Sequence, residues 1–374
     1  MLSILTVSLA TLHYLTCRHT FEPTLISELS RGGFDKTSSP LEAVVRLEAS
    51  GGTQPPDPAY ALQILPDAVE VRAASISGLV DGAAAVLCSD DNALLLDGAP
   101  RGSLLTHSLV PDLLRGAPPT KAKLLRRCET VTEKLGKVLR KRFQAARAGR
   151  DEDDDAQETL LLCQLLLLEP ELLVVSLAPS LPHVRSGGIG YWPVRHAPGG
   201  YVDCTLPGDV PSSAYRKLLE SFEVMHDKPT KGSKCVDLGA CPGGWTAALR
   251  LQCDAVVTAV DRSPLAPSLM ADDDVSFVQG DAFTFAPPGG GPVDWMVSDV
   301  IAYPERTVEM VDEWCREKRA GAMVVTMKFQ GDQGPDFAAI EKAREAAEAH
   351  GYGLRCMHQF SNKNEVSLMI RAVL

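Results

Sequence analysis

Apolar runs typical of strands alternate with helical patterns along the C-terminal half of the chain. The predicted strands are 235–238, 255–260, 275–279, 295–298, 322–328, 354–359 and 366–373. Helical stretches fit between them at 246–251, 307–318 and 336–350. Alternation of this kind predicts an α/β domain over 204–374, with a mostly parallel sheet covered by helices on both faces.

The link between the last two predicted strands, residues 360–365, is very short. A parallel crossover needs a dozen or more residues, so these two strands must form an antiparallel hairpin. One antiparallel strand at the end of a doubly wound, mostly parallel sheet predicts a Rossmann-like domain.

The first half of the chain has a different organisation. Residues 1–100 hold short apolar runs separated by Gly/Pro segments, which predicts a small α+β domain. Residues 101–203 hold a basic helical stretch, an acidic loop and an apolar segment whose part 171–177 is predicted to be a buried strand.

The charge distribution changes what the total charge suggests. A formal net charge of −11 over 374 residues argues against nucleic-acid binding when it is averaged over the chain. Between 121 and 150, however, eleven basic residues are opposed only by Glu129 and Glu133, and five acids follow at 151–155. The basic stretch is interpreted either as a solvated helix face or as a surface that contacts an RNA backbone.

Cysteine spacing and the N-terminus bear on the compartment. The ten cysteines form no C-x-x-C pair, which predicts neither a zinc site nor a disulfide framework and favours a cytoplasmic protein. Residues 1–17 lack the basic start of a signal peptide and are predicted to lead into a first strand, with secretion or organelle import as the alternative. The apolar segment 160–177 is interrupted by Glu169, Pro170 and Glu171, so no membrane span is predicted.

A glycine-rich turn after the first C-terminal strand is the clearest candidate for a ligand-binding loop. Small residues let the backbone approach a ligand at the carboxyl edge of the sheet. The candidate cofactor contacts of this loop are Asp237, Gly239, Cys241, Pro242, Gly243, Gly244 and Trp245. Acids end the next three strands, Asp261, Asp281 and Asp299. They are interpreted as further cofactor contacts, the alternative being that they cap helix starts.

The segment 237–245 resembles the cofactor loop of the FtsJ/RrmJ-type ribose 2′-O-methyltransferases. Segments 211–218 and 295–304 are similar to those of the RlmM family, which methylates a cytidine ribose in large-subunit ribosomal RNA. The resemblance implies a class I methyltransferase domain, S-adenosylmethionine as cofactor and RNA as partner. In the N-terminal half it implies a ferredoxin-like and a THUMP-like RNA-binding domain, with an opening strand at 14–18 and a helix around Glu22 and Glu28.

The same resemblance implies a Lys–Asp–Lys–Glu tetrad as the catalytic set. Matched motif by motif, its members fall on Lys217, Asp299, Lys328 and Glu365. A ribose hydroxyl must lose its proton as it attacks a methyl donor. Burial and a second cation nearby both favour the neutral amine that can take this proton. Lys328 is therefore predicted to be the base, with Lys217, Asp299 and Glu365 in support.

Other functions stay open at this stage. The fold could serve a non-catalytic RNA-binding or ribosome-assembly factor, or a methyltransferase acting on transfer RNA or an mRNA cap ribose. A base or protein methyltransferase is less favoured because the chain lacks an Asn-Pro-Pro-Tyr motif and a cysteine pair placed for pyrimidine chemistry. A dehydrogenase is disfavoured by the absence of G-x-G-x-x-G. A monomer without membrane association is expected.

Overall fold

The chain is described from a computed structural model. It covers residues 10–50, 57–89, 92, 96, 104–109, 111–112, 122–146, 160–180, 204–208, 210–289, 291–331 and 334–373. These residues divide into two compact units, one up to residue 180 and one from residue 204. The acidic run 151–155 and the Gly/Pro-rich segments between the units lie outside the described residues.

The N-terminal unit begins with a four-stranded antiparallel sheet. Its elements are β1 (Thr11–Thr16), α1 (Glu22–Arg31), β2 (Thr37–Leu41), β3 (Val44–Ala49) and β4 (Gln63–Leu65). The strand order is β2-β3-β1-β4. The opening strand and helix predicted from the sequence are confirmed.

A second four-stranded sheet completes this unit. Its elements are β5 (Val69–Arg72), α2 (Ile76–Leu87), β6 (Leu104–Ser108), α3 (Ala122–Ala146), β7 (Leu160–Glu169) and β8 (Leu172–Ser180), in strand order β5-β8-β7-β6. The apolar segment 160–177 is thus a buried hairpin that turns at Pro170. Because β5 pairs with β8, the second sheet takes strands from both of the predicted domains 1–100 and 101–203.

The basic stretch forms the long helix α3, as predicted. Its apolar face buries Cys128, Val131, Leu135 and Leu139 against the second sheet. No helix in the described part of the chain is both long enough and apolar enough to cross a bilayer.

The C-terminal unit is the predicted doubly wound domain. Its helices are α4 (Tyr215–Met225), α5 (Gly244–Cys253), α6 (Pro267–Met270), α7 (Pro304–Arg316) and α8 (Phe337–Ala349). Its strands are β9 (Lys234–Leu238), β10 (Val256–Asp261), β11 (Val275–Gln279), β12 (Val293–Ser298), β13 (Ala320–Lys328), β14 (Tyr352–Met357) and β15 (Glu365–Ala372). The order is β11-β10-β9-β12-β13-β15-β14, and β15 runs antiparallel to both of its neighbours.

Two features of this sheet bring chemistry to one edge. The chain leaves β9 for β10 on one side and returns to β12 on the other, which creates the crevice where such sheets bind ligands. The antiparallel register of β13 and β15 then pairs Lys328 with Glu365 at that same edge.

Packing of α3 makes a test of the N-terminal unit. Leu135 is fully buried, so Leu135→Ala should lower the free energy of unfolding by about 2–5 kcal/mol, because apolar burial is reduced and a cavity is left behind. Lys134→Ala, at the exposed neighbouring position, should change it by less than about 0.5 kcal/mol. Urea unfolding followed by circular dichroism measures both. Equal effects of the two substitutions would contradict this packing.

Candidate active site

A buried lysine joins two carboxylates at the carboxyl edge of the C-terminal sheet. Nζ of Lys217 lies 2.7 Å from both carboxylate oxygens of Asp299 and 3.1 Å from Oε1 of Glu365. The Lys217 side chain is only 7% exposed. A buried ammonium is tolerated only when it is paired and hydrogen-bonded, and both carboxylates meet that need.

The second lysine reaches the same aspartate from β13. Nζ of Lys328 lies 3.1 Å from Oδ1 of Asp299 and donates a hydrogen bond of 2.8 Å to the Asp299 backbone carbonyl. Its side chain is 21% exposed, three times the value for Lys217. Lys328 is therefore the amine of the pair that a ligand in the crevice can meet.

All four tetrad residues predicted from the sequence thus come together. They arrive from four elements: α4 carries Lys217, the end of β12 leads to Asp299, β13 ends at Lys328 and β15 begins at Glu365. Two ammonium groups face two carboxylates, so the cluster is neutral when all four groups are ionised. A cluster of this kind can hold a hydroxyl substrate next to an amine that accepts its proton.

A buried polar network behind Lys217 was not anticipated from the sequence. The Ser221 hydroxyl donates to the Lys217 carbonyl over 2.8 Å, and the side-chain amide of Gln359 lies 2.8 Å from the hydroxyls of Ser221 and Ser367. The side-chain oxygen of Asn362 accepts a 2.7 Å bond from the backbone N–H of Gln359. These side chains are at most 1% exposed, so they tie α4 firmly to the β14–β15 link.

Glu220 strengthens the same connection. It is 2% exposed, and its carboxylate accepts hydrogen bonds from the backbone amides of Phe360, at 3.0 Å, and Ser361, at 3.4 Å. The single sequence signal for this network is the polar run 361–365 between two apolar strands. Its partners on α4 lie about 140 residues earlier, beyond the reach of local patterns.

The glycine-rich turn is shaped by close backbone approach. Gly239 has a φ of 76°, and a Cβ there would lie 3.1 Å from the Val300 Cα. Gly243 has a φ of 114°, and a Cβ there would meet Leu269 at 2.2 Å. Both positions therefore require glycine, for conformation and for space.

Two of the acids at strand ends hold loop backbone. Asp261 accepts hydrogen bonds from the amides of Cys241, at 3.0 Å, and Ser263, at 2.8 Å. Asp281 accepts from the Phe283 amide at 2.9 Å and from the Arg262 guanidinium at 2.6 Å, and these bonds lower its pKa. Neither acid is the N-cap of a described helix, so the capping alternative fails for both.

The side chains of two predicted cofactor contacts are buried. The Trp245 indole is 3% exposed, because this large apolar ring at the start of α5 packs into the core of the domain. Its N–H donates a 2.8 Å hydrogen bond to the Ala214 carbonyl. Asp237 is 1% exposed, and its carboxylate accepts from the Thr246 hydroxyl at 2.7 Å. Both side chains support the loop from beneath it.

Part of the C-terminal domain matches a known protein family. Residues 211–333 match the family described as FtsJ-like methyltransferase. This range includes Lys217, Asp299, Lys328 and the whole glycine-rich turn.

Curated relatives extend the match beyond that range. The Ribosomal RNA large subunit methyltransferase M of Thauera aminoaromatica is 30% identical over 256 residues, which is 65% of this chain and 63% of that protein. The protein of the same name from Halorhodospira halophila is 31% identical over 193 residues, 51% of this chain and 56% of that protein. The protein of the same name from Idiomarina loihiensis is 29% identical over 282 residues, which is 71% of this chain and 70% of that protein. The first two alignments span less than two thirds of the relatives' own length.

Burial of Asp237 generates a pH test. Burial raises the pKa of this carboxyl to about 7. The hydrogen bond from Thr246 lowers the pKa in part, whereas the charges of Asp299 and Asp261 raise it. The folded state therefore holds the proton more tightly than the unfolded chain does. This contribution to stability is complete below about pH 4 and disappears as the pH rises through about 7.

The variant Asp237→Asn keeps an acceptor for Thr246 and removes the titration. The free energy of unfolding of the natural protein, relative to this variant, should fall by about 4 kcal/mol between about pH 4 and pH 7.5. Urea unfolding at the two pH values measures the difference. The same pH dependence in both proteins would show that the carboxyl is not held in this way.

Proposed function

Because residues 211–333 form an FtsJ-like methyltransferase domain, we propose that the chain methylates a ribose 2′-hydroxyl in RNA with S-adenosylmethionine as the methyl donor. The observation that carries this proposal is the pair of lysine amines on the one carboxylate of Asp299, at the edge where the glycine-rich turn lies. The relatives' name points to large-subunit ribosomal RNA, and a cytidine ribose is the target we propose.

The turn and the strand-end acids fit the nucleoside and amino-acid parts of such a donor. The turn carries no side chains at Gly239, Gly243 and Gly244, so its backbone can contact a ligand directly. Asp261 holds the turn and retains lone pairs for ribose hydroxyls, and Asp281 stands at the next strand end for the adenine amino group. When bound, the donor supplies a methyl group already activated on a sulfonium.

The chain's own residues then have to position and deprotonate the acceptor. Lys328 accepts the hydroxyl proton on Nζ as the ribose oxygen bonds to the methyl carbon and the carbon–sulfur bond breaks. Lys217 binds Asp299 and Glu365, and Asp299 in turn holds the Lys328 amine in place. Positioning carries most of the rate enhancement, because the donor is already activated.

RNA would also be held outside the methyltransferase domain. The exposed side of α3 presents Lys123, Arg126, Lys134 and Lys137, the last paired with Glu133 at 2.6 Å. Arg127 is instead structural, since it donates to the carbonyls of Pro170 and Ala74. We assign the exposed side of α3 to the RNA backbone. A monomer located in the cytoplasm, without membrane association, completes the proposal.

The base is tested by removing its amine. Lys328→Met should lower single-turnover methyl transfer into ribosomal RNA by a factor of about 10²–10⁴, the usual contribution of a general base. Transfer of tritium from labelled donor into alkali-resistant linkages measures the rate and the ribose position together. Donor binding, measured by calorimetry, should persist.

Lys342→Met is the matched control, because Lys342 is exposed on α8 away from the tetrad. It should leave transfer unchanged. Full activity of Lys328→Met would reject Lys328 as the general base. If the natural protein binds the donor but transfers no methyl group to any RNA, a non-catalytic assembly factor would be favoured. A nucleoside methylated on its nucleobase in the digest would show that the enzyme methylates the nucleobase and not the ribose.

The surface of α3 is tested by charge reversal. The triple variant Lys123→Glu, Arg126→Glu, Lys134→Glu should weaken RNA binding, and it should reduce the slope of log affinity against log salt by about 0.7 for each phosphate that the helix no longer neutralises. Binding to a ribosomal RNA fragment at several salt concentrations measures this slope. Reversal of three exposed charges elsewhere, Lys342, Arg316 and Lys231, serves as the control. An unchanged slope would leave α3 as a solvated helix face.

A further inference from the structure

Two apolar side chains stand out from the described surface beside the tetrad. Ile301 is 81% exposed and Tyr303 is 60% exposed, the two highest values among the exposed large hydrophobic residues of the described chain. They follow Asp299 by two and four residues. At about 3.5 Å per residue, their Cα atoms lie within about 7 and 14 Å of that of Asp299.

The backbone that carries them is held at both ends. Val300, before Ile301, packs closely against Gly239 of the turn, where a Cβ would lie 3.1 Å from the Val300 Cα. Tyr303 immediately precedes α7, and its carbonyl accepts hydrogen bonds from the amides of Arg306, at 3.0 Å, and Thr307, at 3.3 Å. The exposure of the two side chains is therefore built into the fold rather than a result of a loose segment.

Large apolar side chains exposed together at the edge of a site are a recurrent mark of ligand contact. The ribose that presents its hydroxyl to Lys328 carries a base on the same sugar ring, and neighbouring bases follow within one nucleotide. Proteins that read RNA splay such unpaired bases onto aromatic side chains. Arg306 follows Tyr303 by three residues and is about half exposed, with its guanidinium paired with Glu309 and 4.8 Å from the Phe283 ring centroid.

We propose that Tyr303 and Ile301 form a platform on which an unpaired nucleobase of the substrate RNA stacks. Tyr303 covers the face of the base, Ile301 extends the apolar contact toward Asp299, and Arg306 faces the phosphate backbone. This inference rests on the proposed function and specifies its substrate as single-stranded RNA around the methylated ribose. Stacking is sequence-tolerant, so the platform holds the strand rather than choosing the base.

The steady-state test compares Tyr303→Ala with Tyr303→Phe and Tyr303→Trp. Removal of one base stack weakens binding by about 1–3 kcal/mol, so Tyr303→Ala should raise KM for RNA about 5- to 150-fold. KM for the donor should not change, and the two aromatic variants should restore RNA affinity. Leu251→Ala, at an exposed position on α5, is the control and should alter neither constant.

A direct binding test uses Tyr303→Trp and a ten-residue oligocytidylate. When the oligonucleotide is added, stacking on the new tryptophan should quench the emission of Tyr303→Trp more than that of the natural protein. No quenching, together with an unchanged KM for RNA in Tyr303→Ala, would overturn the platform even if ribose methylation is confirmed. Quenching in a protein that methylates no RNA would retain the platform and reject the proposed function. If Tyr303→Leu keeps the KM for RNA of the natural protein, an apolar contact without an aromatic ring suffices, and base stacking is overturned.

Discussion

The active site is organised around Asp299, which binds the ammonium groups of Lys217 and Lys328 at once. Its carboxylate accepts two of the three hydrogen bonds from Lys217 and lies 3.1 Å from Nζ of Lys328, while its backbone carbonyl accepts a hydrogen bond from Lys328. A buried lysine cannot keep its charge without such partners. Helix α4 and strands β12, β13 and β15 are therefore required to meet at one point, and the C-terminal domain converges on that point.

Everything that the proposed reaction needs lies at the same edge of the sheet. The glycine-rich turn and the acids after β10 and β11 are on one side of the switch between β9 and β12, and the tetrad is on the other. The buried hydrogen-bond network around Ser221 and Gln359 fixes α4 against the β14–β15 link. The position of Lys217 is thus set by the core rather than by the surface, which gives the site the rigidity that positioning chemistry demands.

Local patterns predicted most of this domain because its strands are apolar and its helices are amphipathic. The hairpin of β14 and β15 followed from a link too short for a crossover, and the tetrad followed from motif resemblance. Helix α4 was not predicted as an element, although Lys217 within it was. Trp245 was assigned to the cofactor by resemblance to the FtsJ-type loop, and local patterns did not show that its indole lies in the core of the domain. The partners of Gln359 could not be found, because contacts over about 140 residues leave no local pattern.

The most direct test of the central claim is the pH dependence of single-turnover methyl transfer by the natural protein, with RNA and donor both saturating. If a neutral amine must take the hydroxyl proton, the logarithm of the rate rises with a slope of one as the pH increases and then reaches a plateau. A rate that does not vary with pH across the range in which the protein stays folded would contradict the assignment of a lysine base held by Asp299.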